Sequence, residues 1–293
     1  MLFRSALLAV HDQQARRLLL ELLGHTRWQT REAAVQGLQG WGDRELALTL
    51  ATLLTDPNEA VQRAAATALR ELRHPGTERA LLDRLPAASL AVQIPIIEAL
   101  GELHSVAAVP SLVDWVKGTN DALGKVSAEA LAKIDDDRVI PAMRHVIYNV
   151  TYLQMTTRPV ALRVLRERKD DALADRMVQF VTDQIVPPPP MAPGPMYDSV
   201  EARMEALRYL QKFGTAKQGA RILERLTETV PAEMRPLLAE VLTKLTGRTY
   251  RPLPDQDYRR YFVESLAPNP FPLVAVPGVV LEELPREPRG QQE

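Results

Sequence analysis

Residues 61–72 read VQRAAATALREL, and inside them Ala68 precedes Leu69, with Leu72 three positions on. The same small-Leu-x-x-apolar pattern recurs 31 residues back at Gly37, Leu38 and Trp41, and 31 further back at Ala6, Leu7 and Val10. Forward at the same interval stand Ala99-Leu100 with Leu103, Ala130-Leu131 with Ile134, and Ala161-Leu162 with Leu165. A fixed period of ~20–50 residues marks a solenoid, in which each copy packs on its neighbours.

Each copy reads as two antiparallel helices. The first, helix A, carries the signature at helical spacing. A short turn follows, often holding an aspartate (Asp12, Asp43, Asp135 to Asp137, Asp170 and Asp171) that suits the positive end of the next helix. Helix B has its own columns at the same interval. One is Leu19, Leu50, Leu81, Leu112, Met143 and Ala174; another is Leu23, Leu54, Leu85, Val116, Ile147 and Val178. Two helices cannot bury such faces alone, whereas stacked copies form a continuous core. The small residue before each signature leucine lets neighbouring helices approach closely. Pro95 and Pro159 fall within predicted A helices and predict kinks there.

The segments VQRAAATALREL, REAAVQGLQGWGD (31–43) and VAAVPSLVDWV (106–116) resemble the short HEAT-like repeats of bacteria, the kind also found in phycobilin lyase subunits. The resemblance covers residues 1 to about 180. It implies an all-α fold, a HEAT-like α-solenoid: a right-handed superhelix of about eight antiparallel helix pairs. Residues 242–266, LTKLTGRTYRPLPDQDYRRYFVESL, resemble the closing segment of bacterial HEAT-repeat proteins. Gly247 suits a helix end and Asp255 a helix start, and Tyr258, Tyr261 and Phe262 would cover the last open face.

Register breaks at residues 186–195, VPPPPMAPGP, where four prolines favour an extended spacer. A long inter-helix loop and a proline-recognition ligand are the two readings; the absence of flanking basic residues favours the loop. The signature then returns at Ala206-Leu207 with Leu210 and at Val241-Leu242 with Leu245. The expected organisation is a repeat array over 1–186, a proline-rich loop over 187–197, continuing repeats with an aromatic cap helix over 198–267, and an extended tail over 268–293. Residues 271–281 are too apolar for ordinary disorder and are expected to dock on the protein's own surface, while residues 285–293 are expected to be disordered. At the N-terminus, Leu2, Phe3, Ala6, Leu7 and Val10 leave an uncapped apolar edge. It predicts a homodimer through that edge or a start lying further upstream.

Composition narrows the function classes. Thirty-six basic residues against 37 acidic ones give a net charge of −1, which argues against non-specific binding to nucleic acid or an anionic membrane. The absence of cysteine removes disulfides, thiol catalysis and thiolate metal sites. No run reaches the ~18 apolar residues of a spanning helix and no secretory h-region is evident, so a cytoplasmic protein is expected.

Catalytic motifs are missing. None of His11, His25, His74, His104 and His145 is followed by Glu, so the paired His-Glu motifs of the HEAT-type iron enzyme deoxyhypusine hydroxylase are absent. There is no HExxH, GxSxG, P-loop or GxGxxG. Trp41 and Trp115 sit in or beside packing columns, which makes core a better reading than the base pocket of HEAT-like DNA glycosylases. No catalytic residue, cofactor or metal is therefore expected.

One constellation remains. Outward ridges of the B helices run Leu20, Ala51, Leu82, Val113, Arg144, Asp175 and, beside them, Glu21, Thr52, Asp83, Asp114, His145, Arg176. An apolar strip beside acids gives way to a basic stretch at Arg144, His145 and Arg176. Either this is a solvated face, or it is a groove for a peptide or helix of a protein partner. The expected function is a non-enzymatic interaction scaffold, with a phycobilin-lyase-like accessory subunit as the alternative implied by the resemblance. The candidate partner-binding residues are Leu20, Glu21, Leu82, Asp83, Val113, Asp114, Arg144, His145 and Arg176.

Overall fold

The computed structural model describes residues 13–41, 43–187, 189–191, 194–226, 230–252 and 279–282. Leu7 and the N-terminal edge, the aromatic cap with Asp255, Tyr258, Tyr261 and Phe262, and residues 283–293 lie outside the described residues. Two compact units divide the chain, residues 1–142 and 143–293.

In the first unit, B helix α1 (Gln13–Leu22) precedes three A/B pairs and a fourth A helix. The pairs are α2 (Trp28–Gly37) with α3 (Arg44–Thr52), α4 (Glu59–Leu72) with α5 (Glu78–Arg84), and α6 (Leu90–Glu102) with α7 (Val109–Lys117). The fourth A helix is α8 (Asp121–Lys133), and the unit boundary falls inside its partner α9 (Val139–Tyr148). The A helices pack in chain order, α2 on α4, α4 on α6 and α6 on α8. In the second unit α10 (Thr157–Glu167) pairs with α11 (Ala174–Thr182), and α12 (Val200–Phe213) with α13 (Ala216–Arg225). Helix α14 (Arg235–Thr246) follows, packed on both α12 and α13.

The repeat columns are the core. Leu38, Leu69, Leu100, Leu131 and Leu162 are all at 0% exposure, and so are Leu50, Leu81, Leu112 and Met143 of the B helices. Fully burying one such leucine contributes ~1.5–3 kcal/mol, so each column adds to every interface it spans. Start signals match their turns. Asp43 caps α3 by accepting the Leu46 N–H at 2.9 Å, and Asn58 caps α4 through the Ala60 N–H at 2.9 Å. Gly247, left-handed at φ 71°, ends α14.

Helices α6 and α8 approach closely one position past the signature leucine of α6. A Cβ on Gly101 would lie 2.9 Å from both Cα and Cβ of Ala130 on the next A helix. Gly37 plays a different part from the one its place in the small-residue column suggests: its added Cβ would meet the Leu19 side chain of B helix α1. The prolines also divide. Helix α6 runs through Pro95, whereas Pro159 is the third residue of α10. First-turn N–H groups have no helical acceptor, so Pro159 costs no intrahelical bond and the expected kink has no cause there.

The register break is a closed loop. Val186 and Met196 exchange two backbone hydrogen bonds, at 3.1 and 3.0 Å, across its base. Beyond them Asp198 meets Arg158 of α10 in a bidentate ion pair in which both side chains are 0% exposed. Arg158 also donates to the Thr151 carbonyl, and Arg203 of α12 donates to the Val181 carbonyl at 2.9 Å. Residues 279–282 of the apolar tail lie on the protein's own surface as a strand. β2 (Val279–Glu282) pairs antiparallel with β1 (Thr249–Pro252), Tyr250 opposite Leu281, and β1 lies on α14.

Two stability outcomes follow. Gly101→Ala should cost about 1–3 kcal/mol because backbone must move, while Gly37→Ala should stay within about 1 kcal/mol because only a leucine tip must turn; thermal denaturation of both measures the contrast. Asp198→Ala should cost about 3–5 kcal/mol by leaving a buried guanidinium without its counter-charge, and urea titration checks it.

Candidate functional site

The predicted ridge residues of the first unit stand on three B helices. Leu20, Leu82 and Val113 are half-buried, while Glu21, Asp83 and Asp114 beside them are exposed. Helical spacing produces this: each pair occupies adjacent positions at the rim of the buried stripe, so one side chain leans inward and the next faces water. Asp83 is held by Arg79 one turn back at 2.9 Å. Glu21 and Asp114 make no ion pair among the described residues. The corresponding α3 positions differ, with Ala51 buried and Thr52 exposed.

Val113 and Asp114 also line an open depression of about 370 Å³ with Pro110, Lys117, Asp137, Arg138 and Pro141. Pro110 is the second residue of α7 and Pro141 the third of α9. Both prolines sit in a first turn, where the missing N–H is harmless. Their compact rings leave room between the helices. Arg138 is fixed at the rim by Asp136, with Nε to Oδ1 at 2.8 Å and Nη2 to Oδ2 at 2.7 Å. Those bonds, with the Arg138 N–H, pull the Asp136 carboxyl down to about 2. The floor is apolar and the rim carries both charge signs. Five of these residues were missing from the sequence-based site, although the signal was present: Pro110 and Pro141 stand one 31-residue period apart.

Arg144, His145 and Arg176 belong to the second unit, and their side chains are engaged. Arg144 reaches Asp170 through Nε at 2.7 Å and Nη2 at 2.6 Å, with the carboxylate only 3% exposed. The Arg144 hydrogen bonds hold the Asp170 carboxyl below the usual range against the effect of burial. Asp170 therefore serves mainly as an ion-pair partner, while its Oδ1 also accepts the Ala172 N–H at 3.4 Å. Tyr209 adds a lock. Its hydroxyl donates to the Asp170 carbonyl and accepts the Leu173 N–H at 3.1 Å. Burial pushes this phenol up to about 12. His145 meets Asn149 at 3.2 Å, and Arg176 donates to the Ile147 carbonyl at 3.3 Å and to Gln179 Oε1.

The other described histidines meet backbone groups. His25 Nδ1 accepts the Arg27 N–H and His74 Nδ1 the Gly76 N–H, each at 3.1 Å. His104 Nδ1 meets the Lys133 carbonyl. Among the described residues no group of three or more His, Asp or Glu could hold a metal ion, and no helix is long and apolar enough to cross a membrane.

Stacked helix pairs with one repeating core column describe a known architecture, and residues 16–88 match the family model for HEAT repeats. Residues 16–88 therefore read as HEAT repeats. The matched region includes the VQRAAATALREL stretch. Among solved structures, the Escherichia coli protein YibA is similar at 17% identity, covering 82% of this chain and 84% of that one with a TM-score of 0.53. The likeness is one of fold, that of a HEAT-like α-solenoid. The complex of CpcE and CpcF of phycocyanin lyase from Nostoc is similar at 18% identity, covering 82% of this chain and 89% of that one, with a TM-score of 0.43. An engineered protein matches at 20% identity over 82% of this chain and 70% of its own, with a TM-score of 0.48. No curated protein matches the chain.

The ion pairs set an acid limit on stability. The carboxyls of Asp56, Asp136 and Asp170 all lie below their ordinary values; at Asp56 burial acts upward but the Arg31 and Asn58 hydrogen bonds outweigh it. A depressed carboxyl means the unfolded chain binds more protons, so the stabilisation is complete above about pH 4 and is lost as pH falls below it. The melting temperature should be level between about pH 7 and 5 and fall below about 4. Asp170→Asn should lower it at pH 7 and flatten the acid drop, as calorimetry would show.

Proposed function

We propose that this HEAT-repeat protein is a scaffold that holds a segment of a protein partner along the B-helix face of its first unit. The observation that carries the reading is the depression at Val113: an apolar floor open to solvent, rimmed by Asp114, Lys117 and Arg138. An extended or helical segment fits it when an apolar side chain enters between Pro110 and Pro141. A basic neighbour would then lie against Asp114 and an acidic one against Lys117. Leu20 with Glu21 and Leu82 with Asp83 repeat the same apolar-acidic pairing on other helices of the unit. Local packing between repeats makes such a surface stiff enough to present in advance, which limits the ordering cost of association. The accessory-subunit alternative rests on likeness of fold alone.

The test uses a partner that co-purifies with the full chain. Val113→Glu and Asp114→Lys, at half-buried and exposed positions, should weaken its capture by about tenfold, as central contacts do, with an unchanged melting temperature. Arg63→Gln, exposed on α4, should leave capture intact. Equal capture by all three variants would remove this face from consideration.

A further inference from the structure

The second unit holds a cation whose surroundings differ from those of other, paired arginines in the chain. Arg31, Arg138 and Arg144 each face a carboxylate that raises the guanidinium above its ordinary value. Arg176 does not. It is half-buried on α11, with its guanidinium carbon 5.6 Å from the centre of the Phe180 ring, which is itself fully buried. Burial pushes this guanidinium down, against weaker upward pulls from Tyr148 and Asp183.

Nearby acids are spoken for. Asp175 is shared by Lys217 at 3.2 Å and Arg221 at 2.9 Å, and Asp183 is taken by Arg225 at 2.5 Å. Arg176 makes no ion pair among the described residues. Its acceptors are the neutral Ile147 carbonyl, reached by both Nε and Nη2, and the neutral Gln179 amide oxygen. A guanidinium has five N–H donors, and these bonds use three of them. A partly desolvated cation with no carboxylate in ion-pair contact is costly unless something else supplies one. Beside it Tyr148 is 58% exposed, an aromatic surface able to cover the stem of an incoming side chain.

We infer that Arg176, flanked by Tyr148, is a receptor for a carboxylate side chain on an acidic segment of a protein partner. The two remaining donors suit a carboxylate oxygen pair, and a charge-assisted bond in a partly dry site is stronger than one in water. Arg144 leaves little for a second anion because Asp170 already occupies its fork, so the site accepts one or two acidic residues rather than a run of phosphates. This extends the partner-binding reading to the second unit. Its test uses a defined probe, so its failure is separate from any result at Val113.

Acetylated hexaglutamate would be titrated into the full chain by isothermal calorimetry, with inorganic phosphate and a single-stranded oligonucleotide as comparators. Saturable hexaglutamate binding is expected, weakened about tenfold by Arg176→Gln and about threefold by Tyr148→Ala, with Arg63→Gln unchanged. Should Arg176→Gln lose its helical circular dichroism, the exposed Tyr148→Ala variant decides. No saturable binding, equal binding by the Arg176 and Tyr148 variants and the parent, or tighter binding of phosphate or the oligonucleotide than of hexaglutamate would overturn the assignment.

Discussion

Close approach between successive A helices is the constraint on which the first unit depends. Where Gly101 faces Ala130 there is no room for one more carbon atom, so the spacing of α6 and α8 is set by what the side chains lack. That spacing lets Leu100 and Leu131 reach full burial on either side. With wider spacing the same leucines would line voids, and the contact energy that holds a repeat to its neighbour would fall with distance. Small residues and leucines are thus one device: the first bring the backbones together and the second fill what remains.

The same proximity places charged ends within reach of the next repeat. Arg31 of α2 binds Asp56 in the turn before α4 at 2.7 Å, Arg70 of α4 binds Glu98 of α6, and Glu102 of α6 takes both Arg73 and Lys133. The exposed members of this set contribute little free energy each; their effect is on register. The second unit applies the idea to an irregularity. Arg158 of α10 and Asp198 before α12 close the base of the proline-rich insertion, so the chain leaves the repeat and re-enters it at one place. Of the inserted residues Pro187, Pro190, Met191 and Pro195 are exposed, and the signature resumes at Leu207.

Core columns repeat while surface columns diverge. The positions of Leu50, Leu81 and Leu112 are interchangeable, but those of Leu48, Arg79, Pro110 and Pro141, also 31 residues apart, are not. Whatever sets the surface of this solenoid apart is written in the second set. Pro110 and Pro141 line a depression on the first unit, and Arg176 of the second makes no ion pair among the described residues. Neither alters the buried face, so the surface can vary without loss of fold.

The fold was legible in the sequence because burial imposes the period directly. Each repeat meets the same neighbour in the same way, so Leu69 and its equivalents recur in register and their reading needs no long-range information. Caps such as Asp43 and Gly247 were legible too, since their partners lie within a few residues. The candidate site was legible only in part. Leu20, Leu82 and Val113 fall on the rim as helical geometry requires. Whether a charge is free or taken depends on residues distant in the chain: Arg144 and Asp170 are 26 positions apart, Arg158 and Asp198 are 40. The strand pairing of residues 279–282 with 249–252 is equally non-local. Periodicity encodes what every repeat shares; only the folded packing decides which ionisable groups find partners, because that is set by distances across repeats that no local pattern contains.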